Sequence, residues 1–372
     1  MKKEGLSLNE IGIHHMMKIE SEMRKVEPKV AIKSIAGKNT VKTAVSFLTT
    51  SAKMRFEGGF SNDVDKNYRI LHEGSKRLLG KVGIEVKTIG SENIPEVGPA
   101  AIYANHKSFF DILAICAAIE HTTSFLSAEN MWNIALRGHL KAINSIPVDR
   151  NLNPMKTTDR PKIKETQEKI QNHYDQGGRL VTFPEGKMVH EEELAEFYAA
   201  SFKTPTEDNV PIIPSFISGT EQISVIDGKW QCICPSGHII VSFAPAIYPI
   251  DLDLKRKKVS SATREEILRL KAEANDLQFF MNNGSSFEEA RIQRLELELA
   301  LNNINFIKNA NLFSEAINKY GRDKLKKVLK SEHNLTDLQA EVILGMTSET
   351  IQNFHNQECT KKLQLTKGTI VK

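Results

Sequence analysis

The residues best suited to chemistry are a histidine and an aspartate five positions apart, His106 and Asp111, in the run Ala104-Asn105-His106-Lys107-Ser108-Phe109-Phe110-Asp111. Imidazole exchanges protons near neutral pH, and a carboxylate bonded to one ring nitrogen orients the ring and supports the charge formed when the other takes a proton. The run follows a strand-like segment, AAIYA, and opens an apolar helix-like one, ILAICAAI. Two residues five apart on one helix point about 140° apart, so the pair meets only if His106 lies ahead of the helix and Asp111 in its first turn. Asp111 has a second reading, because Ser108 as N-cap would make it the third helical residue, closing a capping box. Spacing alone leaves both open.

Three further runs could complete a site. Ile146-Pro147-Val148-Asp149-Arg150 ends a short strand with a guanidinium, whose fork of donors suits a phosphate, although a surface arginine is usually only solvated. Val181-Thr182-Phe183-Pro184-Glu185-Gly186 places a carboxylate at a strand end beside a glycine that admits close backbone approach. Val210-Pro211-Ile212-Ile213-Pro214 reads as a buried strand with proline at its mouth, which is also what an edge or first-residue proline looks like.

The elements that must position these residues begin near Gly83. IEVKTI, AAIYA, TSFLS, IPV, RLVTF, VPIIPSFI and HIIVSFA are short β-rich runs alternating with helical stretches, the pattern of an α/β domain with a largely buried sheet. Pro161 at a first helical position and Gly177-Gly178 as a stop frame one helix between strands. Upstream, Val41, Ala44, Val45, Leu48, Ala52 and Phe56 fall near helical spacing and predict an amphipathic face, for lipid headgroups or for the following domain. Downstream of Ser260 the pattern is helical: Ser286 with Glu289 predicts a capping-box start leading into a stripe of Ile292, Leu295, Leu299 and Phe306. The expected divisions are a helical segment 1–80, an α/β domain 81–260 and a helical appendage 261–372.

Composition narrows the function classes. A net charge of +4 over 372 residues is too small for a dedicated nucleic-acid binder, and the strongest basic run, Lys255 to Lys258, is an ordinary solvated loop or a local contact for an anionic surface. The cysteines, Cys116, Cys232, Cys234 and Cys359, match no zinc spacing or disulfide framework, so reduced thiols and no metal are expected. The opening MKKEGLSLNEIGIHHMMKIESEM does not read as a signal peptide, and no uncharged apolar stretch reaches the ~18 residues of a membrane span. Membrane contact is expected to be peripheral.

In this order, the four runs resemble the 1-acylglycerol-3-phosphate acyltransferase family, with Gly90-Ser91-Glu92-Asn93-Ile94-Pro95 as a similar lead-in; the resemblance spans about Gly83 to Pro249. It implies a glycerolipid acyltransferase-like α/β fold: a mixed sheet flanked by helices, with a helical N-terminal segment and an all-α C-terminal appendage. It implies transfer of a fatty acyl group from acyl-CoA or acyl carrier protein to the free hydroxyl of 1-acylglycerol 3-phosphate, making phosphatidic acid, without a cofactor. Glycerol 3-phosphate or another lysophospholipid is the alternative acceptor, and a catalytically silent lipid-binding scaffold the rival reading. The implied roles are His106 as base, Asp111 as its partner, Arg150 on the acceptor phosphate, Glu185 and Gly186 shaping the acceptor site, and Pro211 lining the pocket near the thioester. The implied setting is peripheral, on an anionic membrane surface at the cytoplasmic face. The chain departs from the family pattern where Asn144 replaces a glycine, where Lys187-Met188 replace threonine-arginine, and in SAENMWNIALRG, which lacks a lysine.

Residues of about Glu289 to Gln352, carried by LELALNNINFI and HNLTDLQAEVILGMTSETI, are weakly similar to the coiled-coil and gate region of DNA gyrase A subunits. In the second run Thr336 can cap a helix that ends at Gly345. That similarity implies a homodimerisation module rather than topoisomerase activity, the alternative being a helical hairpin packed on its own catalytic domain, and no nucleic-acid partner is expected.

Overall fold

The computed structural model describes residues 62–81, 83–108, 110–129, 137–149, 151–152, 155–189, 193–227, 230–233, 237–303, 317, 321–333 and 335–345. The amphipathic face between Val41 and Phe56, and Phe306, lie outside the described residues. The chain divides into two compact units, Ala31–Ala274 and Met1–Val30 with Asn275–Lys372.

In the first unit, helix α1 (Val64–Lys81) leads into β1 (Ile84–Ile89) and β2 (Ala100–Ala104), then α2 (Phe110–Ala118), β3 (Ser124–Ala128), α3 (Arg137–Ala142) and β4 (Ile146–Val148). There follow α4 (Arg160–Asp175), β5 (Arg179–Thr182), α5 (Lys203–Glu207), β6 (Ile212–Ser218), α6 (Thr220–Ile223), β7 (Ser224–Asp227), β8 (Trp230–Ile233), β9 (Gly237–Phe243) and α7 (Arg256–Asn282), whose residues from Asn275 on belong to the second unit. The sheet has seven strands in the order β1-β9-β6-β2-β5-β3-β4, and every pairing is parallel except β6 with β9. Each of the seven β-rich sequence runs supplies one of these strands. The separate two-stranded ladder of β7 and β8 was not anticipated.

Alternation along the inner strands fills both sides of the sheet. Ala100, Ile102 and Ala104 of β2 join Val181, Ile213 and Ile217 in a core completed by α1 and α2, while Ala101 and Tyr103 join Leu180, Ile212 and Phe216 in a second core with Val259, Ile267 and Leu270 of α7. A strand covered on both faces reads as continuously apolar, as AAIYA does. Helix α4 begins with Pro161 in its first turn, and Gly177 adopts φ +78° just after its end.

In the second unit, α8 (Phe287–Asn303) is followed by α9 (Arg322–His333) and α10 (Asp337–Gly345). The Ser286 capping box forms: Glu289 Oε2 accepts from Ser286 N–H at 2.8 Å, and Ser286 Oγ accepts from Glu289 N–H at 3.3 Å. Thr336 and Gln339 make the same reciprocal pair ahead of α10. The buried face of α8 differs from the expected stripe. Ile292 is exposed, whereas Ala290, Arg294 and Leu297 are buried. Arg294 can occupy that face because its Nε lies 2.7 Å from Asp276 Oδ2, and a buried charge is tolerated when paired.

Candidate active site

Strands β5, β2 and β6 are adjacent and parallel, so their C-terminal ends open onto one rim of the sheet. In open α/β sheets that rim is where ligands bind. His106 stands two residues beyond β2, Phe183 and Glu185 follow β5, and Thr220 follows β6.

His106 Nδ1 lies 2.8 Å from Asp111 Oδ2. That oxygen also accepts from the N–H groups of Lys107 at 2.8 Å and Ser108 at 2.9 Å, and Thr220 Oγ1 donates to Oδ1 at 2.5 Å. Asp111 is wholly buried. Removing a carboxylate from water is costly unless donors replace the hydration, and this one meets four. The bond to Ser108 N–H is the return half of a capping box, and Ser108 Oγ accepts from Phe110 N–H at 3.2 Å. Both readings of Asp111 therefore hold at once: the carboxylate that starts α2 is also the one that orients the imidazole. Because a carboxylate accepts, Nδ1 carries the proton and Nε2 is left with its lone pair.

The loop after β5 grips the histidine on three sides. Glu185 Oε1 accepts from His106 N–H at 2.9 Å, His106 carbonyl accepts from Val189 N–H at 2.8 Å, and the imidazole stacks on Phe183 at 4.2 Å between centroids and 17° between planes. The second oxygen of Glu185 accepts from Ala195 N–H at 2.9 Å. Glu185 is buried, which pushes its carboxyl above the usual range, and the bonds from His106 and Ala195 offset part of that. Both of its oxygens thus serve the backbone. Gly186 adopts φ +67°, a left-handed conformation that favours glycine, and a Cβ there would lie 2.7 Å from the exposed Tyr198 ring, which would have to swing aside. Met188 and Tyr198 expose apolar surface on this same loop region.

His106, Asp111, Glu185 and Gly186 are brought together, but Pro211 is not. Its carbonyl accepts from Ala101 N–H where β2 begins, about 16 Å along the strand from His106 at the usual rise per residue. Pro211 immediately precedes β6, at the end of the strand away from His106. Arg150 lies outside the described residues. Asn144, where the family pattern has glycine, adopts φ +51°, a left-handed conformation that asparagine tolerates better than most residues. Sequence reasoning missed Asn105, Phe183 and Thr220 as site residues; Asn105 and Phe183 sat inside the quoted runs, but nothing local marked Thr220. Among the described residues no group of three or more His, Cys, Asp or Glu is arranged to hold a metal.

Residues 85–218 match the family model described as Acyltransferase. A probable 1-acyl-sn-glycerol-3-phosphate acyltransferase of Mycoplasma pneumoniae is 29% identical over 144 residues, covering 37% of this chain and 51% of that protein. A 1-acyl-sn-glycerol-3-phosphate acyltransferase of Chlamydomonas reinhardtii is 27% identical over 196 residues, covering 50% and 54%. The chain thus spans about half the length of the curated relatives it matches. The crystal structure of the 1-acyl-sn-glycerophosphate acyltransferase PlsC from Thermotoga maritima superposes with a TM-score of 0.54 at 20% identity, covering 67% of this chain and 98% of that one. The fold is therefore the α/β fold of that acyltransferase, a mixed seven-stranded sheet flanked by helices.

Proposed function

We propose that this protein transfers a fatty acyl group from a thioester to the free hydroxyl of 1-acylglycerol 3-phosphate, forming phosphatidic acid. The observation that carries the reading is the His106-Asp111 pair on the ligand-binding rim, with Nδ1 committed to the carboxylate and Nε2 without a hydrogen-bond partner among the described residues. The matched segment and the printed names of its relatives supply the reaction class.

His106 Nε2 takes the proton of the acceptor hydroxyl as its oxygen bonds to the thioester carbonyl carbon. Asp111 stabilises the imidazolium that results. The tetrahedral intermediate collapses with cleavage of the carbon–sulfur bond, and the imidazolium returns the proton to the thiolate leaving group. Coenzyme A or acyl carrier protein is the thiol carrier, and no cofactor takes part. Met188 and Tyr198, exposed on the loop that grips His106, suit an apolar acyl chain. Arg150 is assigned to the acceptor phosphate.

The substrate is a membrane lipid, and no helix among the described residues is long and apolar enough to cross a membrane. Since the acceptor is a membrane lipid, our reading has the protein act peripherally on an anionic membrane at its cytoplasmic face, with the helical residues beyond 275 as a pairing surface for a second copy. Thioester consumption measured against 1-acylglycerol 3-phosphate, glycerol 3-phosphate and other lysophospholipids, with products identified by mass, tests the function. Phosphatidic acid as the main product is expected; thioester hydrolysis unaffected by every acceptor contradicts the proposal.

A further inference from the structure

The loop that carries His106 is tied to β6 as well as to β5. Beyond the last β2–β6 pair, Ala104 with Ser215, the ladder is continued by a side chain: Asn105 Nδ2 donates to Ile217 carbonyl at 3.0 Å, and Asn105 Oδ1 accepts from Ile217 N–H at 2.7 Å. Past Ser218 the chain turns at Gly219, φ +95°, and delivers Thr220, which is wholly buried. Its hydroxyl reaches Asp111 Oδ1.

The two oxygens of Asp111 are used unequally. Oδ2 accepts from His106 Nδ1–H, Lys107 N–H and Ser108 N–H, whereas Thr220 is the one donor to Oδ1 among the described residues. Bonds to Oδ2 fix one corner of the carboxylate. Both oxygens turn together about the Cβ–Cγ bond, so a bond at Oδ1 reinforces the torsion at which Oδ2 aims its lone pair at Nδ1. Without the hydroxyl, Oδ1 is a buried anionic oxygen with no donor, a state relieved by rotation or by admitting water.

Resting on the acyl-transfer reading above, we infer that Thr220 is a positioning residue for the catalytic base. By holding Oδ1 it reinforces the torsion of Asp111, and through it the orientation in which His106 presents Nε2. It acts through Asp111, and it lies two residues beyond the matched segment 85–218.

The test compares Thr220→Val, which keeps the shape and removes the donor, with Thr220→Ser, which keeps the donor, in the full-length protein. Steady-state kinetics, thermal unfolding and the downfield proton resonance of His106 Nδ1–H are measured on each. Valine is expected to lower kcat about 10- to 100-fold, the range of one hydrogen bond to a charged group, with acceptor KM within about twofold; serine restores most of kcat. The resonance should be sharp in wild type and Thr220→Ser, and broadened or shifted in Thr220→Val. A folded Thr220→Val with wild-type kcat and resonance overturns the inference, as does an equal loss in both variants with the resonance unmoved. If valine prevents folding, Thr220→Ala is read by the same criteria. Absence of acyl transfer in the wild type would defeat the functional reading instead, and the resonance comparison would still decide the link from Thr220 to His106.

Discussion

Two charged segments of the first unit look alike in sequence and differ in structure. The loop from Asn105 to Asp111 and the run from Asp253 to Lys258 each gather polar and charged groups within a few residues. In the first, the carboxylate is wholly buried and four donors from two strand ends converge on it. In the second, Lys255 and Lys258 both reach Asp253, at 3.6 and 2.8 Å, and Arg256 reaches Glu207 at 3.5 Å, all among exposed side chains. Bulk water stands ready to replace any partner in the second set, whereas in the first a lost donor leaves a buried carboxylate oxygen out of contact with solvent. Convergence from separate strands under burial, rather than charge density, marks the site.

The largest break in this comparison should come from Asp111→Asn. An asparagine can keep its carbonyl toward Nδ1–H, Lys107 N–H and Ser108 N–H while its amide faces Thr220, so geometry survives and charge does not. Loss of support for the imidazolium should lower kcat about 10²- to 10³-fold with little change in melting temperature. Unaltered turnover would show that the charge has no part in the chemistry.

Glu185→Gln should act on stability first. An amide cannot accept from both His106 N–H and Ala195 N–H, so one buried donor faces an NH₂ group, at about 1–3 kcal/mol in chemical denaturation. The effect has a pH signature. Burial lifts the carboxyl above 4.5, so folding takes up a proton here; the associated stability is complete below 4.5 and is lost as pH rises through the lifted midpoint. Glutamine lacks this linkage, so the stability gap between wild type and variant should narrow as pH rises across that window. A gap independent of pH would mean that the carboxyl titrates alike in folded and unfolded chains.

Gly186→Ala is smaller, at about 1 kcal/mol from the left-handed backbone, provided the exposed Tyr198 ring swings aside. Activity should fall more than stability, because the displaced ring belongs to the loop that holds His106; equal losses would argue for a purely structural glycine. Smallest of all, Lys258→Ala should leave both the melting temperature and turnover on detergent-dispersed substrate unchanged, since exposed pairs contribute little. A clear loss of either would end the contrast between the two segments.

Much of the fold was legible because a sheet buried on both faces writes itself as continuous apolar runs, and the glycines and Pro161 punctuate them. The β7–β8 ladder left no comparable mark. His106 and Asp111 were legible because their five-residue spacing has one workable geometry across a strand-to-helix junction. Thr220 was not, since its meeting with Asp111 depends on β6 lying beside β2, a contact between residues 109 apart. The buried face of α8 was misjudged because arginine counts as polar, and only its pairing with Asp276 makes Arg294 a core residue. Glu185 stood out as a carboxylate beside glycine, yet its two backbone partners come from chain segments on either side of it.

The central claim is that His106 Nε2 is the base of acyl transfer. It is tested most directly by following a labelled acyl group from its thioester onto 1-acylglycerol 3-phosphate with wild type and His106→Ala, both confirmed as folded by near-ultraviolet circular dichroism. Labelled phosphatidic acid should form with the wild type and fall to the uncatalysed background with the variant. Product formation by folded His106→Ala at a rate near that of the wild type would contradict the account.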